Sequence, residues 1–123
     1  MIIGIGTDII EIDRIEKAIN DNNLFLSKVF TETELQQYAI KRMRIESIAG
    51  NFAVKEAVSK AIGTGFKGFN LKDIEVFRDL AGKPIIKIGE NVKEFIQSDN
   101  YKFHVSISHN RSDAIAYVIL EGI

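Results

Sequence analysis

The feature that most restricts the fold is a stripe of alanines in the middle of the chain. Alanine recurs every four residues there, at Ala49, Ala53, Ala57 and Ala61. Larger apolar residues fill the positions between, and Gly63 and Gly65 follow as a stop signal. This pattern predicts a helix from about Glu46 to Ile62 whose small side chains leave room beside it.

Two charged residues lie in the alanine stripe. At about 100° per residue, Glu56 and Lys60 point the same way, one turn apart. One interpretation is an i,i+4 ion pair that contributes a few tenths of a kcal/mol. The other is a cleft, kept open by the alanines, in which both charges reach a ligand. The remaining polar residues of this segment are expected to face water: Asn51, Lys55 and Ser59.

The N-terminal segment MIIGIGTDII predicts a strand from Met1 to Ile10. Alternation places Gly4, Gly6 and Asp8 on one face. Because glycine has no side chain, another element can approach this face closely, and the alanine-lined helix is the natural candidate. Asp8 would then lie beside that helix at the end of the strand. The alternative is that Asp8 only ends the strand and caps the following helix.

The other segments complete an α+β pattern, with helices in the first half packed on an antiparallel sheet. Thr31 and Glu34 form a capping box that starts a helix. At 123 residues, we expect a single domain covering residues 1–123. Helical segments are predicted at Glu11–Ile19, Leu24–Phe30 and Glu90–Gln97. Strands are predicted at Ile74–Phe77, Ile85–Ile88, Tyr101–Ser108 and Ala114–Leu120, with a hairpin between the first two and a polar turn at 109–113.

Composition excludes several classes of function. Sixteen basic and seventeen acidic residues nearly cancel, which argues against a nucleic-acid-binding domain. Without cysteine and with two histidines, any bound metal is expected to be a hard ion such as magnesium (Mg²⁺) on carboxylates. No basic residue precedes Arg14, and no apolar run reaches 18 residues, so neither a signal peptide nor a membrane span is expected. We therefore expect a cytoplasmic protein.

The candidate site residues converge. Asp8, Glu56 and Lys60 combine two carboxylates for magnesium with a lysine that can neutralise phosphate charge. His109, where a late strand is predicted to end, could line the same site or simply be solvated. The cluster of Lys41, Arg42 and Arg44 suits a helix C-terminus in itself, although three neighbouring cations could also hold a phosphate.

Four segments resemble holo-acyl-carrier-protein synthase, the short class of 4′-phosphopantetheinyl transferases. They are GIGTDIIEIDRI, FAVKEAVSKAIGTG, AGKP and HVSISH, which occur in the family's order from Gly4 to His109. The resemblance implies transfer of the 4′-phosphopantetheine group from coenzyme A to a serine of apo-acyl carrier protein, in fatty acid biosynthesis. The implied products are the holo-carrier and adenosine 3′,5′-bisphosphate.

The resemblance also implies roles for individual residues. Asp8 and Glu56 would bind magnesium, and Glu56 and Lys60 would be catalytic. The family is similar to a homotrimer whose sites lie between subunits, so Lys41, Arg42 and Arg44 would hold the 3′-phosphate from an adjacent chain. The remaining implied coenzyme A-binding residues are Ser59, Gly63, Lys83, Pro84, Ser108 and His109. The implied carrier-docking residues are Arg14, Lys17 and Lys28.

One position departs from the family pattern. Asn51 stands where many members have arginine, so one expected phosphate contact is missing or supplied elsewhere. Two rival interpretations stay open. One is a non-catalytic module on the same fold that binds coenzyme A or a carrier protein. The other is a structural domain in which Glu56 and Lys60 form an ion pair and Asp8 is a cap.

Overall fold

The computed structural model describes residues 1–123 and contains two antiparallel sheets and five α-helices. The helices are α1 (Ile12–Asp21), α2 (Phe25–Val29), α3 (Glu32–Ile40), α4 (Ile45–Ile62) and α5 (Glu90–Lys93). The strands are β1 (Ile2–Glu11), β2 (Ile74–Arg78), β3 (Pro84–Ile88), β4 (Tyr101–His109) and β5 (Asp113–Gly122). None of the helices combines the length and the apolar character needed to cross a membrane. The predicted α+β class is confirmed.

The main sheet has the order β1-β5-β4, and β2 and β3 form a separate hairpin. The N-terminal strand therefore pairs with the C-terminal one, and Asp8 lies opposite Ala116. Alternate residues of β5, from Ala114 to Leu120, are fully buried against α4. This arrangement places the long helix across the sheet and fixes its register against β1.

Close contact between β1 and α4 is the central packing feature. A Cβ atom added to Gly4 would lie 1.9 Å from the carbonyl oxygen of Ala61. One added to Gly6 would lie 1.9 Å from the carbonyl oxygen of Ala57. No side chain fits at such distances, so glycine and alanine let the two backbones touch. The predicted docking of the alanine stripe on the glycine face is confirmed.

Three predicted boundaries differ from the structure. Strand β1 continues through Glu11 and β4 through His109, because both keep pairing with β5 to those positions. Helix α5 ends at Lys93, four residues earlier than predicted. Phe95 leaves the helical course and packs against Phe69, with 5.6 Å between the ring centroids. The aromatic contact therefore replaces the last predicted helical turn.

The polar residues of α4 expected to face water are in fact buried: Asn51, Lys55 and Ser59. The prediction was wrong because α4 is enclosed on more than one side. The sheet covers one face, while α3 and β2 cover another. Polar groups in such a position need partners inside the protein.

Lys55 finds its partner in Glu34. The ammonium lies 2.7 Å from the Glu34 carboxylate, and both side chains are fully buried. Lys55 also donates to the carbonyl oxygens of Leu71 and Ile74. Glu34 completes the predicted capping box with Thr31. It also accepts a hydrogen bond from the backbone N–H of Val76, so one carboxylate links α3, α4 and β2.

Candidate active site

Asp8 and Lys60 meet where α4 crosses β1. The Lys60 Nζ atom lies 3.2 Å from Asp8 Oδ1 and donates to the carbonyl oxygen of Thr7 at 2.9 Å. Asp8 is inside β1, three residues before its end, and Glu11 is the residue that precedes α1. The alternative that Asp8 ends the strand and caps α1 is therefore wrong. Asp8 is a strand residue whose carboxylate faces the helix.

Glu56 lies next to this pair and is half-buried. Burial raises the pKa of Glu56, the negative charge of Asp8 raises it further, and Lys60 partly opposes both. Lys60 bonds to β1 and forms no ion pair with Glu56, so the interpretation as a simple i,i+4 pair is also wrong. The close approach of β1 brings Asp8 within reach of the lysine instead.

The three side chains form a site with distinct chemistry. Two carboxylates that repel each other surround a cleft, and one ammonium, more than half exposed, borders it. Asp8 and Glu56 are the kind of oxygen donors that magnesium takes, and their mutual repulsion favours a bound cation. No group of three or more acidic, histidine or cysteine side chains is clustered in the chain. The other ligands of such a cation would be water and substrate oxygens.

The predicted basic cluster lies in a separate open cavity of about 480 Å³. Lys41, Arg42 and Arg44 line this cavity between the end of α3 and the start of α4. Lys41 donates to the carbonyl oxygens of Arg78 and Asp79, which ties α3 to the hairpin. Neither Arg42 nor Arg44 has an acidic partner within salt-bridge distance. The three cations are thus brought together, and two of them are free to meet an anion.

Sequence reasoning missed Arg78, which lines the same cavity from the end of β2. Its guanidinium donates two hydrogen bonds to the side-chain oxygen of buried Asn51, from Nε at 3.0 Å and from Nη2 at 2.8 Å. The two residues are 27 positions apart, and only the β2–α4 contact brings them together. The one signal in the sequence was the asparagine itself, at a position where the resembling family has arginine.

The other predicted coenzyme A-binding residues are dispersed. Lys83 and Pro84 line a cavity of about 410 Å³ between the hairpin and β4. Ser108 and His109 line one of about 180 Å³ on the outer side of the sheet. The Ser59 hydroxyl is buried and donates to the carbonyl oxygen of Glu56 at 2.8 Å. Gly63 ends α4 in the left-handed conformation, as the stop signal predicted.

The predicted docking residues lie on the first two helices. Arg14 and Lys17 are exposed on α1, and Lys28 is exposed on α2. Lys17 shares a shallow depression with Asp13, Glu16 and Asp21. The surface of α1 therefore carries mixed charge.

The sequence matches the profile of the 4′-phosphopantetheinyl transferase superfamily over residues 4–118. It is 52% identical to a holo-[acyl-carrier-protein] synthase of Clostridium botulinum, with full coverage of both chains. It is 54% identical to one of Clostridium perfringens, covering 99% of this chain and 96% of the relative.

Solved structures agree with the sequence relatives. One is a holo-(acyl-carrier-protein) synthase of Bacillus anthracis in complex with coenzyme A (3′,5′-ADP), which is 41% identical. It superposes with a TM-score of 0.79, covering 100% of this chain and 99% of that one. The enzyme of Neisseria meningitidis is 30% identical with a TM-score of 0.85, covering 98% of this chain and 99% of that one.

Proposed function

The chain belongs to the 4′-phosphopantetheinyl transferase superfamily, and from that premise we infer that it transfers the 4′-phosphopantetheine group from coenzyme A to a serine of apo-acyl carrier protein. Residues 1–123 would form a single catalytic domain. The observation that carries the proposal is the meeting of Asp8, Glu56 and Lys60 at one crossing of strand and helix. A structural domain has no need of two adjacent carboxylates beside an exposed lysine.

The proposed reaction exchanges one bond to phosphorus for another. The serine oxygen of the carrier bonds to the phosphorus that carries the pantetheine arm. The bond from that phosphorus to the bridging oxygen of the diphosphate breaks, and adenosine 3′,5′-bisphosphate leaves with the electron pair. The serine proton must go to a base, because a neutral hydroxyl is a poor nucleophile.

Glu56 is our candidate for that base, directly or through a water. Its raised pKa makes it a stronger proton acceptor than an ordinary carboxylate, and half-burial keeps it accessible. Lys60 is our candidate for stabilising the leaving group. Its ammonium is held by Asp8 and by the carbonyl oxygen of Thr7, so it can meet negative charge on the leaving phosphate with little rearrangement.

We propose that Asp8 and Glu56 hold magnesium. The donor set fits that ion, which is usually bound through one or two carboxylates together with substrate phosphates and water. When bound, magnesium supplies positive charge that offsets the charge developing on a diphosphate as it is cleaved. The raised pKa of Glu56 is consistent with this role, because a divalent cation would remove the repulsion that Asp8 exerts on it.

We further propose a homotrimer with sites between subunits. The outer face of the main sheet exposes apolar side chains, including Ile5, Ile9, Ile115 and Tyr117. An apolar patch of this kind supports burial against another chain. Ile9 and Ile115 also border the cavity of Ser108 and His109. Those two residues would therefore face a neighbouring subunit and could contribute to its site.

The carrier protein would dock on the first two helices through Arg14, Lys17 and Lys28, which are exposed there. We place the reaction in fatty acid biosynthesis, because acyl carrier protein is the acceptor. The absence of cysteine supports a reducing compartment, and we propose the cytoplasm.

The deciding experiment is intact-mass measurement of an apo-acyl carrier protein after incubation with the protein, coenzyme A and magnesium. We expect a gain of one phosphopantetheine group, which EDTA abolishes. Glu56→Gln should reduce the transfer rate by about 10²- to 10⁴-fold, the usual contribution of a general base. Full activity in that variant would overturn the assignment of Glu56. Binding of coenzyme A with no mass gain would instead favour a non-catalytic binding module.

Stability provides the control for Glu56→Gln. Because the pKa of Glu56 is raised in the folded protein, the folded state binds more protons than the unfolded state between the ordinary and the raised pKa. Stability therefore falls as pH rises through that window. In EDTA, the variant should melt slightly above the parent at neutral pH, and the difference should shrink in acid. A variant that melts well below the parent at neutral pH has lost its fold, and its inactivity would carry no weight.

A further inference from the structure

Arg78 is built into the basic cavity with unusual care. The two hydrogen bonds from Nε and Nη2 to Asn51 fix the plane of the guanidinium. The backbone of Arg78 is also clamped, because its N–H donates to Gln37 at 3.1 Å and its carbonyl oxygen accepts from Lys41. Asn51 is fully buried, and its side-chain nitrogen has no hydrogen-bond partner. That residue satisfies the arginine at the expense of its own amide.

No carboxylate neutralises this guanidinium. Arg78 forms no salt bridge, although it is partly buried and burial lowers its pKa. Asp79 is the one acid lining the cavity. Its Oδ1 atom accepts from the backbone N–H groups of Ala81 and Lys83, so it holds the hairpin turn. A partly desolvated cation without a counter-charge is costly unless an anion binds there.

We infer that Arg78, positioned by Asn51, binds a phosphate monoester in this cavity and supplies the guanidinium that position 51 lacks. Three further cations line the same cavity, namely Lys41, Arg42 and Arg44. The start of α4 borders it at Arg44 and Ser47, and a helix N-terminus favours anions. A planar guanidinium suits phosphate because it can donate two parallel hydrogen bonds.

The chemistry of the proposed substrate selects which phosphate this is, and the inference rests on the proposed function at this point. The diphosphate of coenzyme A must lie at Asp8, Glu56 and Lys60, where its bond is broken. These three residues do not line the basic cavity. The other phosphate of coenzyme A is the monoester on the ribose 3′-oxygen. Arg78 would therefore make the enzyme prefer coenzyme A over 3′-dephospho-coenzyme A.

The test compares KM for these two substrates in three variants. Arg78→Gln removes the charge and should raise KM for coenzyme A about tenfold, which corresponds to about 1.4 kcal/mol. Asn51→Asp keeps an oxygen for both guanidinium hydrogen bonds but neutralises the charge, so it should raise the same KM severalfold. In both variants KM for the dephospho-substrate and kcat should stay within about twofold of the parent. Lys87→Gln, an exposed position on the same hairpin outside the basic cavity, is the matched control and should change neither KM.

Two outcomes would overturn the inference. One is that the parent does not discriminate between the two substrates, or that Arg78→Gln and Asn51→Asp leave the discrimination unchanged. The other is that both variants lose the two substrates equally and melt earlier, which would make Arg78 a purely structural link. Calorimetry with adenosine 3′,5′-bisphosphate, against adenosine 5′-monophosphate, separates this test from the test of transfer. If the parent binds the bisphosphate through Arg78 but transfers nothing, the proposed function fails and the anion site stands.

Discussion

Helix α4 carries two lysines that pair with acids on different sides of the molecule. Lys55 and Glu34 lie 2.7 Å apart, and neither side chain is exposed to solvent. Lys60 and Asp8 lie 3.2 Å apart, with 54% of the lysine side chain and 18% of the aspartate side chain exposed. The buried pair has additional partners from three other elements, whereas the exposed pair is bonded only to β1.

This difference separates a structural role from a chemical one. Every polar atom around Lys55 is committed to holding α3, α4 and β2 together, so no substrate can reach it. Lys60 keeps solvent on one side and a half-buried carboxylate, Glu56, on the other. A group can take part in a reaction only if the fold leaves some of its bonding capacity free. The predictions below test this division by their effects on the free energy of unfolding, from the largest to the smallest.

Lys55→Met should have the largest effect. The methionine matches the lysine in length but leaves the buried Glu34 carboxylate without its counter-charge. Breaking one side of a buried ion pair typically costs about 3–5 kcal/mol. Urea unfolding followed by circular dichroism measures the loss. Adding Glu34→Gln to this variant should recover part of it, because the double variant buries no lone charge. A loss below about 1 kcal/mol would mean that the buried pair does not hold the three elements together.

Gly6→Ala should come second. Its Cβ atom would lie 1.9 Å from the carbonyl oxygen of Ala57, and backbone cannot move aside as a side chain can. We expect α4 to shift away from β1, at a cost of about 1–3 kcal/mol, the usual range for overpacking. Transfer should also fall, because the shift carries Lys60 away from Asp8. Thr7→Ala, with its side chain on the exposed face of β1, should lose less than about 1 kcal/mol in the same unfolding measurement. Equal losses in the two variants would contradict the close-packing argument.

The sequence predicted much of the fold because the decisive contact is written in local spacing. Alternation places Gly4 and Gly6 on one face of a strand, and a four-residue repeat places Ala57 and Ala61 on one face of a helix. These two patterns complement each other, and their docking brings Asp8 to Lys60. The site was therefore readable wherever it depended on the periodicity of a single element.

The sequence did not predict contacts that depend on how separate elements enclose α4. Lys55 and Asn51 lie on a face that helical periodicity alone assigns to solvent, yet α3 and β2 cover it. Glu34 showed only its capping role, because its second partner is 21 positions away. Arg78 gave no local signal at all. Long-range pairing of polar groups has no period, so only the assembled structure reveals it.

Lys60→Gln should have the smallest effect on stability and a large one on the reaction. An ion pair with a lysine more than half exposed contributes at most about 1 kcal/mol, because solvent screens it. The transfer rate should nevertheless fall by about tenfold to a hundredfold, since a hydrogen bond to a charged group is worth about 1.5–3 kcal/mol. Lys93→Gln breaks another exposed pair, with Glu90 at 3.0 Å, and is the matched control. We expect it to match Lys60→Gln in unfolding but to keep full transfer. If the two variants transfer equally well, the exposed pair on α4 is ordinary surface charge, and the contrast with Lys55 is one of burial alone.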